Sequence, residues 1–147
     1  MNSRKLIGNA IITTAIGIII ARSKKDKIVF VDTLPQIMKD YVNIHFPAHT
    51  IKKAVKSKDI FNRTYDVFLD GKINLEFNKR GEIIEIEANS KLPDSVIPEK
   101  IIAFVAAYFP DNSIIEWELE RRTQEVELDN GLELLFDLND DFLSIDN

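Results

Sequence analysis

The chain has 147 residues, of which 24 are acidic and 19 basic, with no cysteine and a net charge of −5. An acidic balance lacks the positive field that a nucleic-acid partner requires, and the missing cysteines exclude disulfides, thiol catalysis and a lipoprotein anchor. Once the leader described next is set aside, the length suits one compact domain that folds without staples.

The first 23 residues read as an export signal. Arg4 and Lys5 precede a 16-residue apolar stretch from Leu6 to Ala21, and Ala21 and Ser23 supply small residues for cleavage after Ser23. The stretch falls short of the roughly 20 residues that span a bilayer, so the expected product is a soluble periplasmic chain from 24 to 147. The alternative is an uncleaved anchor, and the membrane is a partner only in that case. Charge is uneven along this product. From Lys24 to Lys91 there are 13 basic and 10 acidic residues, whereas from Leu92 to Asn147 there are 3 basic and 14 acidic.

The next elements occur twice. Leu34-Pro35 through Phe46-Pro47 returns as Ile97-Pro98 through Phe109-Pro110, 63 positions on. Asp66-Val67-Phe68-Leu69-Asp70-Gly71 returns as Glu125-Val126-Glu127-Leu128-Asp129-Asn130 ahead of Gly131, 59 positions on. A four-residue deletion in one connecting loop accounts for the difference, and duplication of this kind fixes architecture before chemistry.

Each copy begins with a helix. Pro35 and Pro98 are tolerated in a first turn, and Met38, Tyr41, Val42 and His45 form one apolar stripe. Ile101, Phe104, Val105 and Tyr108 form the other, and Pro47 and Pro110 stop both helices. Period-two alternation follows. Tyr65, Val67 and Leu69 oppose Thr64, Asp66 and Phe68, and a turn at Asp70-Gly71 leads to Ile73, Leu75 and Phe77. In the second copy Ile115, Trp117 and Leu119 are expected on the core face, followed by Val126, Leu128, Leu134 and Phe136. Last strands lie near Ile83 to Glu87 and near Phe142 to Ile145. The predicted fold is α+β: two tandem helix-plus-four-strand repeats, about 31–90 and 91–147, forming one domain. Its single antiparallel sheet would have about eight strands, with the helices on one face and the other open to water.

These leucine-proline starts, phenylalanine-proline stops and Val-x-Leu-Asp hairpins resemble the PepSY-like family of exported bacterial proteins, described as beta-lactamase-inhibitor-like. The resemblance covers about Val31 to Ile145 and implies a fold similar to beta-lactamase inhibitor protein and a periplasmic address. It carries over no catalytic or binding residues. Gly81-Glu82-Ile83 and Asp140-Asp141-Phe142 depart from the Gly-x-Trp expected after each hairpin, so a groove built on that tryptophan would be altered.

Catalytic and metal chemistry find little support. His45 and His49 have the four-residue spacing of helical metal ligands, but Pro47 breaks the helix between them and no third ligand follows. Asp137-Leu138-Asn139-Asp140-Asp141 opens like a calcium loop but lacks its glycine and twelfth position, so it reads as an acidic turn. No nucleophile elbow or phosphate loop is present, and no enzyme activity or cofactor is expected. Lys52, Lys53, Lys56, Lys58 and Arg63 read as a solvated basic strand and hairpin.

The acidic strands are different. Glu116, Glu118, Glu120, Glu125, Glu127 and Glu133 alternate with core residues and so share the open face. Like charges on adjacent strands cost stability, which makes that face a candidate for a basic ligand. The expected working surface is Glu116, Glu118, Glu127 and Glu133, with Phe68 and Leu135 as exposed apolar contacts. The expected function is that of a non-enzymatic periplasmic binding protein, inhibitor-like in one version, whose partner is a protein or peptide of the envelope. The alternative is a cation or small-ligand sensor, an accessory protein of the envelope.

Overall fold

Among the described residues, nine strands form one sheet in strict chain order, each antiparallel to the next. The computed structural model describes residues 26–57 and 63–146. The expected signal segment lies outside the described residues, as does Lys58. The strands are β1 (Lys27–Val29), β2 (Ile51–Lys56), β3 (Thr64–Leu69), β4 (Ile73–Asn78), β5 (Ile83–Ala88), β6 (Ile114–Leu119), β7 (Thr123–Leu128), β8 (Glu133–Asp137) and β9 (Phe142–Asp146). Helix α1 (Gln36–His45) connects β1 to β2, and α2 (Glu99–Tyr108) connects β5 to β6. The order helix then four strands thus occurs twice, with β1 as a further strand. That ninth strand corrects the count of about eight. Three residues are too few to show a period in sequence, and β1 exists because Lys27, Ile28 and Val29 pair with Lys56, Val55 and Ala54.

Both helices begin one residue later than the sequence suggests. Pro35 and Pro98 hold the capping position at ψ 137° and 133°, and each helix closes on a phenylalanine, Phe46 or Phe109. Proline has no N–H to leave orphaned there and fixes φ for entry. Met38 and Val42 of α1, with Ile101 and Val105 of α2, are buried in the same core as Val67, Leu75, Phe77, Ile86, Val126, Leu134 and Phe136. Tyr41 meets Phe77 edge-on at 5.5 Å, and Phe104 meets Phe136 likewise at 5.4 Å. The two helices therefore cover one face of the sheet. Burying each large apolar side chain here contributes about 1.5–3 kcal/mol. Tyr108 departs from the expected stripe: it is exposed, with its ring beside Phe104 at 4.6 Å.

A register shift between Ile114 and Glu116 corrects another expectation. The bulge brings Ile114, not Ile115, onto the core face with Trp117. An inserted residue reverses side-chain parity, which strict alternation cannot anticipate. Trp117 is buried, as expected for core, and its indole N–H donates to Gln124 Oε1 at 3.1 Å. Gln124 in turn donates to Asp140 Oδ1 at 2.6 Å. That bond steadies Asp140 at φ 64°, the left-handed conformation that the β4–β5 turn reaches with Gly81 at φ 82°.

Candidate functional site

Strand register converts the scattered carboxylates of the sequence into two rows across the open face. In the first row Asp66, Glu76, Glu85, Glu118 and Glu125 follow one another on β3 to β7, and Leu135 continues it on β8. In the second row Phe68 and Asn74 lead into Glu87, Glu116, Glu127, Glu133 and Asp146 on β5 to β9. Directly opposed side chains on neighbouring strands start about 5 Å apart at Cβ. Ten carboxyl groups thus share one surface.

All six residues chosen from sequence lie on this face. Glu116, Glu127 and Glu133 are consecutive in the second row, and Glu118 stands beside Glu116 in the first. The apolar pair is not adjacent. Phe68 ends the second row on β3, under the Lys53 ammonium at 5.8 Å, whereas Leu135 sits on β8 opposite Glu125. The two apolar side chains flank the carboxylates from opposite sides.

The face is drier than its description as a wet surface implies. Glu85 and Glu87 are 8% and 5% exposed, Asp66 is fully covered, and Asn74 is 5% exposed. Glu85 consequently has its pKa pushed up to about 9, first by burial, then by the charges of Glu76, Glu118, Glu116 and Glu87. Burial and Glu127 raise Glu87, and burial raises Glu127, partly offset by its hydrogen bond with Glu116. Sequence reasoning missed Glu85, Glu87, Asp66, Glu76 and Asn74. The alternation Ile84-Glu85-Ile86-Glu87 was their signal, obscured because the first half of the chain is basic overall.

The other candidates resolve into ordinary structure. His45 Nδ1 lies 3.0 Å from Ser95 Oγ, whereas His49 Nδ1 lies 2.9 Å from Asp70 Oδ1, so the two histidines serve separate contacts. In the acidic turn, Asp137 Oδ1 accepts the backbone N–H groups of Asn139 and Asp141 at 2.8 and 2.9 Å. Among the described residues, no group of three histidine or carboxylate side chains is arranged to hold a metal. Lys53 and Lys56 lie over Phe68 and Tyr65, at 5.8 and 4.9 Å, and Lys52 pairs with Asp70 at 3.8 Å. Two hollows of about 250 Å³ open beside the helix ends, both bordered by Leu92. They are below the usual size of a ligand pocket, and the one lined by Ile73 and Ala88 holds the chain neighbours of Asn74 and Glu87 rather than the row residues themselves.

The family model described as "Putative beta-lactamase-inhibitor-like, PepSY-like" matches residues 63–144. Among solved structures, a "putative periplasmic protein from DUF2874 family" of Bacteroides vulgatus is 33% identical with a TM-score of 0.79, over 86% of this chain and 100% of that one. A "putative calcium-regulated periplasmic protein" of Bacteroides thetaiotaomicron is 29% identical with a TM-score of 0.79, over 83% and 97%. A second Bacteroides vulgatus structure, a "putative periplasmic protein of unknown function", is 32% identical with a TM-score of 0.78, over 83% and 99%. No curated protein matches the chain. Like these relatives, the chain is a periplasmic protein.

Proposed function

Because the chain belongs to the PepSY-like family, we propose that it works as a non-enzymatic binding protein whose open sheet face docks a basic protein or peptide. The observation that carries this reading is the pair of carboxylate rows on β3 to β9. A face that concentrates like charge sacrifices stability unless a partner neutralises it. Glu116, Glu118, Glu127 and Glu133 supply the charge, and Phe68 and Leu135 supply apolar contact at the two flanks. Inhibition of an envelope enzyme is one form such docking takes. We read the recurrence of helix and four strands as an internal duplication that makes one domain from two copies, about 31–90 and 91–147.

The test is a crosslinking pull-down from periplasm, with a variant carrying Glu116→Lys, Glu118→Lys and Glu127→Lys beside the native chain. The variant's fold is checked by circular dichroism. A partner captured by the native chain and lost by the folded variant supports the reading. One retained by both moves the site to the helices or loops.

A second reading is a cation or small-ligand sensor. The relative described as calcium-regulated favours it, as does the acidity of the second half. Calorimetric titration with calcium and with a polyamine separates the two: tight cation binding supports the sensor, and heat only with basic peptides supports the docking face.

A further inference from the structure

Glu87 on β5 and Asn74 on β4 are Cα partners in the second row, and both are 5% exposed. Glu87 Oε2 and Asn74 Oδ1 are buried acceptor atoms without a hydrogen-bond donor. A buried acceptor left unsatisfied is costly, so this position calls for a donor that the described side chains do not provide. A proton on Glu87, an ordered water or an N–H group of a ligand can supply one.

We propose that Glu87 and Asn74 form a proton-exchanging anchor, which carries a proton in the free protein and releases it to solvent when a lysine ammonium of the partner takes its place. The inference rests on the docking reading above and names the anchor within that face. The groups around Glu87 are Glu85 on its own strand, Glu76 on β4, Glu116 and Glu118 on β6, and Glu125 and Glu127 on β7. All are carboxyls, so they favour the protonated acid in the free state and a cation in the bound state. The upward displacement of Glu87 agrees with this, its causes being burial and then Glu127. Lysine fits better than arginine because its ammonium is compact, carries three donors and rides on a slender stem that reaches a recessed acceptor. A guanidinium presents a wider planar fork.

Two experiments test the inference. Carboxyl carbon NMR of the free protein follows Glu87 through a pH titration. Titration above the ordinary glutamate range supports the bound proton, and titration within it overturns the proposal without touching the docking reading. Calorimetry with tetralysine in two buffers of different ionisation enthalpy then counts protons. Release on binding, with affinity rising as pH rises through the Glu87 titration, is the expected result. Glu87→Gln abolishes the release and weakens tetralysine binding about tenfold, the cost of one charge-assisted bond. Asn74→Leu weakens it without removing the carboxyl. Binding without proton release overturns the exchange while the acidic face survives. Equal binding of tetra-arginine overturns the choice of ammonium. Tighter binding of spermidine overturns the lysine source in favour of free polyamines. No heat with any of the three overturns both the anchor and the docking reading.

Discussion

Ile37 of α1 lies directly over Gly81, the left-handed residue of the β4–β5 turn, and leaves no room for a side chain there. In the second half, the Lys100 ammonium of α2 pairs with Asp141 in the β8–β9 turn. One half seats its helix on a turn by apolar contact, and the other by charge. Gly81→Ala is therefore expected to destabilise the fold by about 1–3 kcal/mol, combining a forced contact with left-handed strain. Gly131→Ala, at φ 84° with nothing within 4 Å of the new methyl, meets the strain alone. Chemical denaturation of the two variants compares them, and Ile37→Ala should recover part of the loss at Gly81 but none at Gly131.

Stability should fall as pH rises from the ordinary glutamate range towards about 9, because folded Glu85 holds a proton that the unfolded chain has given up. The contribution is fully present below the unfolded pKa and lost as pH passes through the folded one. Glu85→Gln removes the cost of the buried acid and is expected to stabilise the protein at neutral and alkaline pH by about 1–3 kcal/mol. Melting temperature against pH, native beside variant, checks this: the variant's alkaline limb should be flatter.

The acid limb has the opposite sign. Asp70 is held below its ordinary range first by the Thr50 hydroxyl and then by His49, Asp129 first by Asn112, and Asp137 first by the Asp141 backbone. Their stabilisation is present above the unfolded carboxylate pKa and disappears as pH falls through the lowered folded values. Asp70→Asn should shift the acid midpoint of unfolding upward, read by circular dichroism during acid titration.

Phe136 stands at the centre of the second helix's packing, edge-on to Phe104 at 5.4 Å and to Phe142 at 5.8 Å. It is fully buried, so Phe136→Ala is expected to cost about 3–5 kcal/mol. Trp117 is the sole tryptophan and is 7% exposed, so its fluorescence should redshift on unfolding and report this loss directly.

Much of this molecule is legible in its sequence because the signals are local. Pro35 and Pro47 bracket one helix and Pro98 and Pro110 the other, and alternation from Tyr65 to Phe77 marks a hairpin within 13 residues. Shared parity was enough to gather Glu116, Glu118, Glu127 and Glu133 on one face. What was not legible depends on pairing between distant segments. Glu85 comes to face Glu118, 33 positions along the chain, only when β5 and β6 pair. β1 is a strand only because β2 is there to receive it. The bulge at Ile114 and Glu116 changes parity without any glycine to announce it. Alternation puts Phe68 and Leu135 on one face, but their separation across the sheet needs the strand order.

The measurement that tests the docking face most directly is backbone amide NMR mapping of the protein during titration with a lysine-rich peptide, at low and at high salt. The account predicts the largest shift changes on β5, β6, β7 and β8, centred on Glu87, Glu116 and Glu127, and their decline as salt screens the charges. Changes confined to α1, α2 or the strand edges β1 and β9, or changes indifferent to salt, would contradict it.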